Sequence, residues 1–394
     1  MRGKLLIVVL FIVAVAGVVW LAQRRGALTL PGAQGGGGTP GTSSGAQVTV
    51  TFVYGTEKRD WVEAAAESFR SKHRDIELKL VGQGSLEAAQ AILEGKLQPT
   101  AWAPADSLAM SLLESDWRTK NGTALFGTGE DAPAPLVISP LVFVAWEDRA
   151  EVLAKLGGGH ITWKALHQAL SADQGWPAIG GKAEWGFVKF GHTDPTRSNS
   201  GLQALVSMTY DYYGRNQLTV GDLLDPKYQA WIKAIEKGVT RFEASTGTFM
   251  TDMVRFGPSR YDLALVYESL AVSQLENAQG RWGNLKLYYL PTTLWSDHPA
   301  AVLQGSWVTP EQRKAARAWL QHLRSREVQE QALRLGFRPA DPAVPLKNQD
   351  PTNPFNRLGP YGLQLDLPPA APSPDGAIVR NLLSMWTRIV PRTP

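Results

Sequence analysis

The chain has 394 residues and not one cysteine. That absence excludes disulfides, thiolate zinc sites, iron–sulfur ligation and a cysteine nucleophile. It also excludes the lipid-bearing Cys of a bacterial lipoprotein anchor. Histidine is scarce: the six, at positions 73, 160, 167, 192, 298 and 322, show no H-E-x-x-H and none of the recurring spacings of a zinc site. No metal and no cofactor is expected. The G-x-S-x-G elbow of serine hydrolases is missing, since Ser198-Asn199-Ser200-Gly201 lacks the first glycine. A phosphate loop around Gly181-Lys182 fails twice, with Trp176 at the first glycine position and Ala183 where Ser or Thr is needed. Glu57 and Glu268 sit at strand ends, where acid–base chemistry is conceivable, but they read more simply as exposed carboxylates near helix starts. His192 beside Asp194, and Asp297 beside His298, read as turn residues. A binding protein is expected, not an enzyme.

Excess charge on the folded body is lacking too. The formal charge is +4 and the isoelectric point about 9.1. Residues 1–46 hold Arg2, Lys4, Arg24 and Arg25 and no acid, which leaves 36 basic and 36 acidic residues for the rest. A nucleic-acid binder carries its excess on the folded domain, so no nucleic-acid partner is expected. The neutral balance also implies that residues 47–394 are soluble without 1–46.

What is present begins with one long apolar run. Leu5 to Ala22 is 18 residues without a charge, the lower end of what spans a bilayer core of roughly 30 Å. Cutting at Ala14-Val15-Ala16 would split the run, so an uncleaved signal-anchor over 1–25 is favoured over a cleaved signal. A Gly/Pro/Ser-rich tether follows over 26–46. A membrane anchor, a tether and a neutral body suit a single-pass protein displayed outside the cytoplasm.

In the body, Val48, Val50, Phe52 and Tyr54 alternate as in a strand, and Trp61, Ala65 and Phe69 recur at helical spacing. Ile76, Leu78 and Leu80 repeat the strand, and Leu86, Ala89, Leu93 and Leu97 the helix. That order implies parallel pairing. Leu136–Trp146 is almost wholly apolar, as in a strand buried on both faces. Further strands are expected at 187–190, 263–267 and 285–289, and helices over 201–213, 227–245, 268–279 and 310–335. Residues 339–374 are Pro-rich, and Asp375 caps a last helix with Ile378, Leu382, Trp386 and Ile389 on one stripe.

The run Gly191-His192-Thr193-Asp194-Pro195-Thr196-Arg197-Ser198-Asn199-Ser200-Gly201 carries the most chemistry. It leads into a helix whose free N–H groups and positive dipole end, joined by hydroxyls of Thr196, Ser198 and Ser200, can hold an anion without a formal counter-charge. Gly55-Thr56-Glu57, Gly84-Ser85 and Trp102–Ser107 repeat the pattern at other helix starts. Each loop alone is simply a cap; four at one sheet edge make a cleft. An acid placed at Ser200 is expected to spare the fold, since such charges stabilise a helix start by about 0.3–1 kcal/mol.

The segments TEKRDWVEAAAESF, GKLQPTAWAPADS, ISPLVFVAW, WPAIGGKAEWGFVKFGHTDPTRSNSGL, DLALVYESL and LWSDHPAAVL followed by GFRP cover roughly 48–340 in order. Together they resemble the extracellular solute-binding proteins of the type 2 periplasmic fold, in the branch similar to molybdate- and sulfate-binding proteins. The resemblance implies an α/β fold of two lobes with a ligand cleft between them, preceded here by the transmembrane helix. Lobe one is drawn at 47–140 and 265–338, lobe two at 141–264, and a Pro-rich extension at 339–394. It implies a small ligand held by Thr56, Ser85, Ser139, Ser198, Asn199, Ser200 and Tyr267, to which the helix-start chemistry adds Ser107 and Thr196 and an anionic character. Implied partners are an ABC permease or a protein with a von Willebrand factor type A domain, to which related chains are often fused. The alternative is an envelope interaction module that keeps the fold without small-ligand binding.

Overall fold

The alternation at the start of the body becomes β1 (Val48–Tyr54), followed by α1 (Arg59–Lys72), β2 (Ile76–Gly82), α2 (Ser85–Leu93), β3 (Ala101–Ala103) and α3 (Ser107–Asn121). The computed structural model describes residues 47–239 and 241–390. The expected signal-anchor (1–25) and linker (26–46) lie outside the described residues. Among the described residues, no helix is long and apolar enough to cross a membrane.

β1 pairs in parallel with β2 and β3, as strands joined by helical crossovers do. The first sheet runs β2-β1-β3-β10-β4, where β4 is Ala134–Pro135 and β10, Pro299–Val302, enters antiparallel to β3. Period two puts Val50, Phe52 and Tyr54 on one face, packed with Trp61 and Phe69 of α1 and Trp319 of α11 (Pro310–Leu323). Val53 and Trp102 face the other way, against Ile92 and Leu113.

The apolar run becomes β5 (Val137–Trp146), the long member of the second sheet. That sheet runs β11-β5-β7-β6, from Arg338–Pro339 through Leu263–Tyr267 to Phe190–Gly191, and β8 (Leu285–Tyr289) and β9 (Trp295–Ser296) also pair with β5. Leu141 and Phe143 pack with α5 (Trp163–Leu170), α6 (Asn199–Tyr213) and α8 (Pro226–Glu236). Val142 and Val144 pack with α9 (Thr246–Phe256) and α10 (Glu268–Ala278). Both faces are therefore covered, which explains the missing polar alternation. The remaining helices are α4 (Glu147–Leu156), α7 (Val220–Leu223), α12 (Arg326–Arg334), α13 (Pro354–Arg357) and α14 (Gly376–Ile389). Asp375 caps α14 by accepting from the Ile378 amide at 2.9 Å.

Two chain segments pass between the sheets, and they pair with each other. Ala134 faces Ala300, the Leu136 amide donates to the His298 carbonyl at 3.2 Å, Ser139 faces Ser296, and the Leu141 amide reaches the Leu294 carbonyl at 2.9 Å. This antiparallel ribbon is the backbone link between the two halves.

The structure departs from the sequence expectations in four places. The helix expected over 227–245 ends at Glu236, and a separate helix, α9, begins at Thr246. The helix expected over 310–335 breaks between Leu323 and Arg326, where Ser325 starts α12. The strand expected at 187–190 reduces to Phe190–Gly191. Residues 285–296, drawn in lobe one, pair with β5 in the second sheet; antiparallel partners of a buried strand leave no mark in sequence order.

Candidate functional site

Helix starts from both halves meet along the seam between the sheets. The 3-10 turn at Thr56, α2 at Ser85, α6 at Asn199 and α9 at Thr246 all begin without a side-chain cap on their first turn. Close backbone approach brings them together. A Cβ on Gly84 would stand 2.9 Å from the Arg197 carbonyl oxygen, and one on Gly247 would stand 3.0 Å from that of Thr56. Between Thr56 and Glu57 on one side and Ser245, Gly247 and Thr248 on the other lies a cavity of about 390 Å³.

The second-sheet side of the seam is a cluster of hydroxyls. Ser200 Oγ lies 2.7 Å from Thr193 Oγ1, 2.6 Å from Thr246 Oγ1 and 3.4 Å from Ser198 Oγ. Ser198 Oγ lies 3.2 Å from Thr246 Oγ1. Asn199 Nδ2 donates to Tyr267 Oη at 3.1 Å, and Asn199 Oδ1 is buried without a partner. All six residues are buried. The expectation that Ser200→Asp spares the fold is therefore corrected: Ser200 is enclosed, and a carboxylate there loses its water instead of facing it.

The first-sheet side carries charge. Lys58 Nζ has three acceptors for its three hydrogens: Glu57 Oε1, the Pro104 carbonyl at 3.1 Å and His298 Nδ1 at 3.2 Å. Burial raises the Glu57 carboxyl, but the Lys58 ammonium beside it overcomes that and holds it at about 2. Burial lowers Lys58, against the pull of Glu57. Burial and then the Lys58 charge push His298 down to about 4. His298 also adopts φ +39°, a left-handed conformation costing a non-glycine residue about 1–3 kcal/mol. Asp106, the α3 cap, is pushed up to about 7 by burial and the Asp297 charge. Gln203 Nε2 donates to Asp106 at 2.9 Å, and Ser296 Oγ donates to Gln203 Oε1 at 3.1 Å. That chain ties α6 to α3 and to the ribbon.

Of the residues expected from sequence, Thr56, Ser198, Asn199, Ser200 and Tyr267 come together at the seam. Ser85 is buried beside them, its Oγ accepting from the Ala105 amide at 2.9 Å. Ser139 lies in the ribbon, bonded to the Ser269 amide at 3.0 Å. Ser107 stands apart: it is exposed and bonded to Asp297. Thr196 folds back on Asp194 at 2.7 Å in the turn before α6. Glu57 and Glu268 are corrected from exposed to buried. Glu268 pairs with Arg338 at 2.7 and 2.9 Å. His192 and His298 are corrected from turn residues to buried members of hydrogen-bonded clusters.

Lys58, Asp106, Thr193, Gln203, Thr246 and His298 are not among the residues the sequence assigns to ligand binding. Two of them had a legible signal. Gln203 lies four residues after Asn199, hence on the same face of α6. Ser245-Thr246-Gly247 repeats the small hydroxyl-and-glycine chemistry of Ser200-Gly201 at another helix start. Among the described residues, no group of three or more His, Cys, Asp or Glu is placed to hold a metal ion.

Comparison with solved structures finds the same architecture at low identity. A periplasmic thiamin-binding protein matches with a TM-score of 0.61 and 18% identity, over 90% of this chain and 100% of that one. The sulfate-binding protein of Mycobacterium tuberculosis gives 0.55 and 15%, over 86% and 97%. An iron-bound protein of Pseudomonas aeruginosa gives 0.55 and 16%, over 87% and 99%. At these identities the likeness is one of fold. Comparison with curated protein sequences returns no significant match. The profile described as bacterial extracellular solute-binding protein matches residues 50–338, nearly three quarters of the chain. The two sheets, the paired ribbon and the seam of helix starts agree with that match, and the chain belongs to the bacterial extracellular solute-binding proteins.

Proposed function

We propose that the chain captures a small anionic solute between its two sheet-bearing halves and performs no chemistry on it. The observation that carries this reading is the meeting of four helix starts without side-chain caps at one seam. Each offers first-turn N–H groups and the positive end of a helix dipole, worth about 0.3–1 kcal/mol toward a nearby negative charge. Formal charges at the seam are mixed: Asp60 and Asp252 line the cavity with Arg59, Asp252 being paired with Arg260. Glu57 is matched by Lys58, and Asp106, held at about 7, is largely protonated below neutrality. The hydroxyls of Ser198, Ser200 and Thr246 can turn to donate as an acceptor arrives.

The family supports work outside the cytoplasmic membrane; in this reading residues 1–25 are the anchor and residues 26–46 the tether. An ABC permease, or a protein bearing a von Willebrand factor type A domain, is the partner this reading implies.

The test is thermal unfolding of the purified full chain against sulfate, phosphate, small carboxylates and sugar phosphates, beside cationic and neutral solutes. The reading expects one anion to raise the midpoint by several degrees and small-angle scattering to show no expansion with it. A rise produced only by a cation or a neutral solute overturns the anionic assignment. No rise with any solute favours the envelope interaction module instead.

A further inference from the structure

The profile match ends at residue 338, yet α14 lies beyond it and is wired to the seam. Ile378, Leu382, Met385 and Trp386 are buried in the core formed with Tyr228, Ile232 and Ile235 of α8. The indole N–H of Trp386 donates to Glu236 Oε1 at 2.8 Å. Glu236 is the last residue of α8, and its other oxygen lies 2.8 Å from His192 Nε2. His192 Nδ1 lies 2.8 Å from the Thr193 carbonyl oxygen. The Thr193 carbonyl can only accept, so Nδ1 donates to it. Thr193 Oγ1 then reaches Ser200 Oγ at 2.7 Å, and Ser200 reaches Thr246 at 2.6 Å. Phe242 braces the chain, edge-on to both the His192 ring at 5.3 Å and the Trp386 ring at 5.2 Å. Trp386, Glu236, His192, Thr193 and Ser200 are all buried.

We infer that Trp386, Glu236 and His192 are positioning residues for the solute loop: the C-terminal helix sets the orientation of Thr193 and Ser200 through buried hydrogen bonds that end on the Thr193 backbone and resume at its hydroxyl. The inference rests on the reading of that loop as the solute site. Its physical basis is the cost of leaving any link unmade. A buried carboxylate or ring nitrogen that loses its partner has no water to replace it, so the chain holds one arrangement as a unit. The loop carries glycine at a position it cannot relax around, since a Cβ on Gly201 would stand 2.2 Å from the Thr193 carbonyl oxygen. Register at Thr193 therefore fixes the first turn of α6.

The experiment is hydrogen–deuterium exchange of the full chain, comparing the parent with Trp386→Phe and Glu236→Gln. Phenylalanine keeps a ring against Phe242, removes the indole donor and leaves part of the indole's volume unfilled, an effect that the control peptide reads. Glutamine keeps the α14 packing and replaces the carboxylate oxygen that faces His192 with an amide. Both are expected to speed exchange in residues 191–201 about tenfold, with residues 137–146 of the same half unchanged. Unchanged exchange at 191–201 in both variants overturns the inference. So does a rise shared equally by 137–146, which is what loss of packing alone produces. A second arm adds inorganic sulfate and inorganic phosphate to the parent and follows the same peptide. Slower exchange supports the solute reading, and no response to any anion counts against that reading while leaving the first comparison to decide the positioning role.

Discussion

On the first-sheet side of the seam, polar atoms are buried around an ion pair: Lys58 beside Glu57, with His298, a carbonyl and Asp106 nearby. On the second-sheet side they are buried as hydroxyls, with Thr193, Ser198, Ser200 and Thr246 bonded to one another. A hydroxyl both donates and accepts, so this cluster can reorient without leaving a charge unmatched. The ion cluster has no such freedom, because removing one partner strands another in a medium that does not solvate it. In the proposed reading, the second-sheet side adapts to a solute and the first-sheet side holds its shape while it does.

Breaking the charged side should have the largest effect. Lys58→Met leaves Glu57 buried without its cation and is expected to cost about 3–5 kcal/mol, read by chemical denaturation. Adding Glu57→Gln to it should recover much of that loss. If the single variant is as stable as the parent, the cluster is not closed as described.

Next comes a substitution on the hydroxyl side that imports the other side's chemistry. Ser200→Asp adds a carboxylate to an enclosed site that has no cation of its own, and is expected to cost about 2–4 kcal/mol, as for a buried polar group left unpaired. Thr246→Val, which only removes a hydroxyl from the same cluster, is expected to cost about 1 kcal/mol. Equal effects would erase the distinction between the two sides.

The pH dependence sharpens the comparison without a new charge. His298, at about 4 against an ordinary 6.5, stays neutral when folded and gains a proton on unfolding between those values. Its share of stability is intact above about 6.5 and lost as the pH falls toward 4. Asp106, at about 7 against an ordinary 3.8, keeps its proton when folded. Its share is intact below about 3.8 and lost as the pH rises toward 7. The two slopes oppose each other between about 4 and 6.5. Asp106→Asn should therefore lose stability on acidification across that window more steeply than the parent. His298→Asn should lose it as the pH rises, and a denaturation series from pH 4 to 7 reads both signs.

The smallest effect is expected where charge is solvated. Arg380 of α14 and Asp116 of α3 form a 3.0 Å pair in which both side chains are nearly half exposed. Arg380→Ala should cost less than about 1 kcal/mol. A larger loss would show that α14 holds the two halves together through this pair.

Much of the seam's second-sheet side was legible. Ser198, Asn199 and Ser200 stand before an apolar helical stripe, where cap chemistry is local and written in consecutive residues. Tyr267 and Thr56 came with the family resemblance and fall beside them. The charged side was not legible, because its members come from positions 57, 58, 106 and 298. Glu57 next to Lys58 looks like any exposed pair, and His298 next to Asp297 like any turn. Only burial makes them a cluster, and burial is a property of what covers them. The same holds for α9, whose start at Thr246 was hidden inside a pattern read as one longer helix.

By itself the sequence determined the elements whose cause is local: the alternation of β1, the two-faced apolar run of β5, the cap and stripe of α14, and the hydroxyl-rich start of α6. It also settled the charge balance and the chemistry that cysteine would have supplied. Tertiary structure alone decided which strands pair with β5, that the two connecting segments pair with each other, and that Trp386 touches Glu236. Those contacts join residues more than a hundred positions apart, and their free energy comes from excluding water between surfaces that no local pattern brings together.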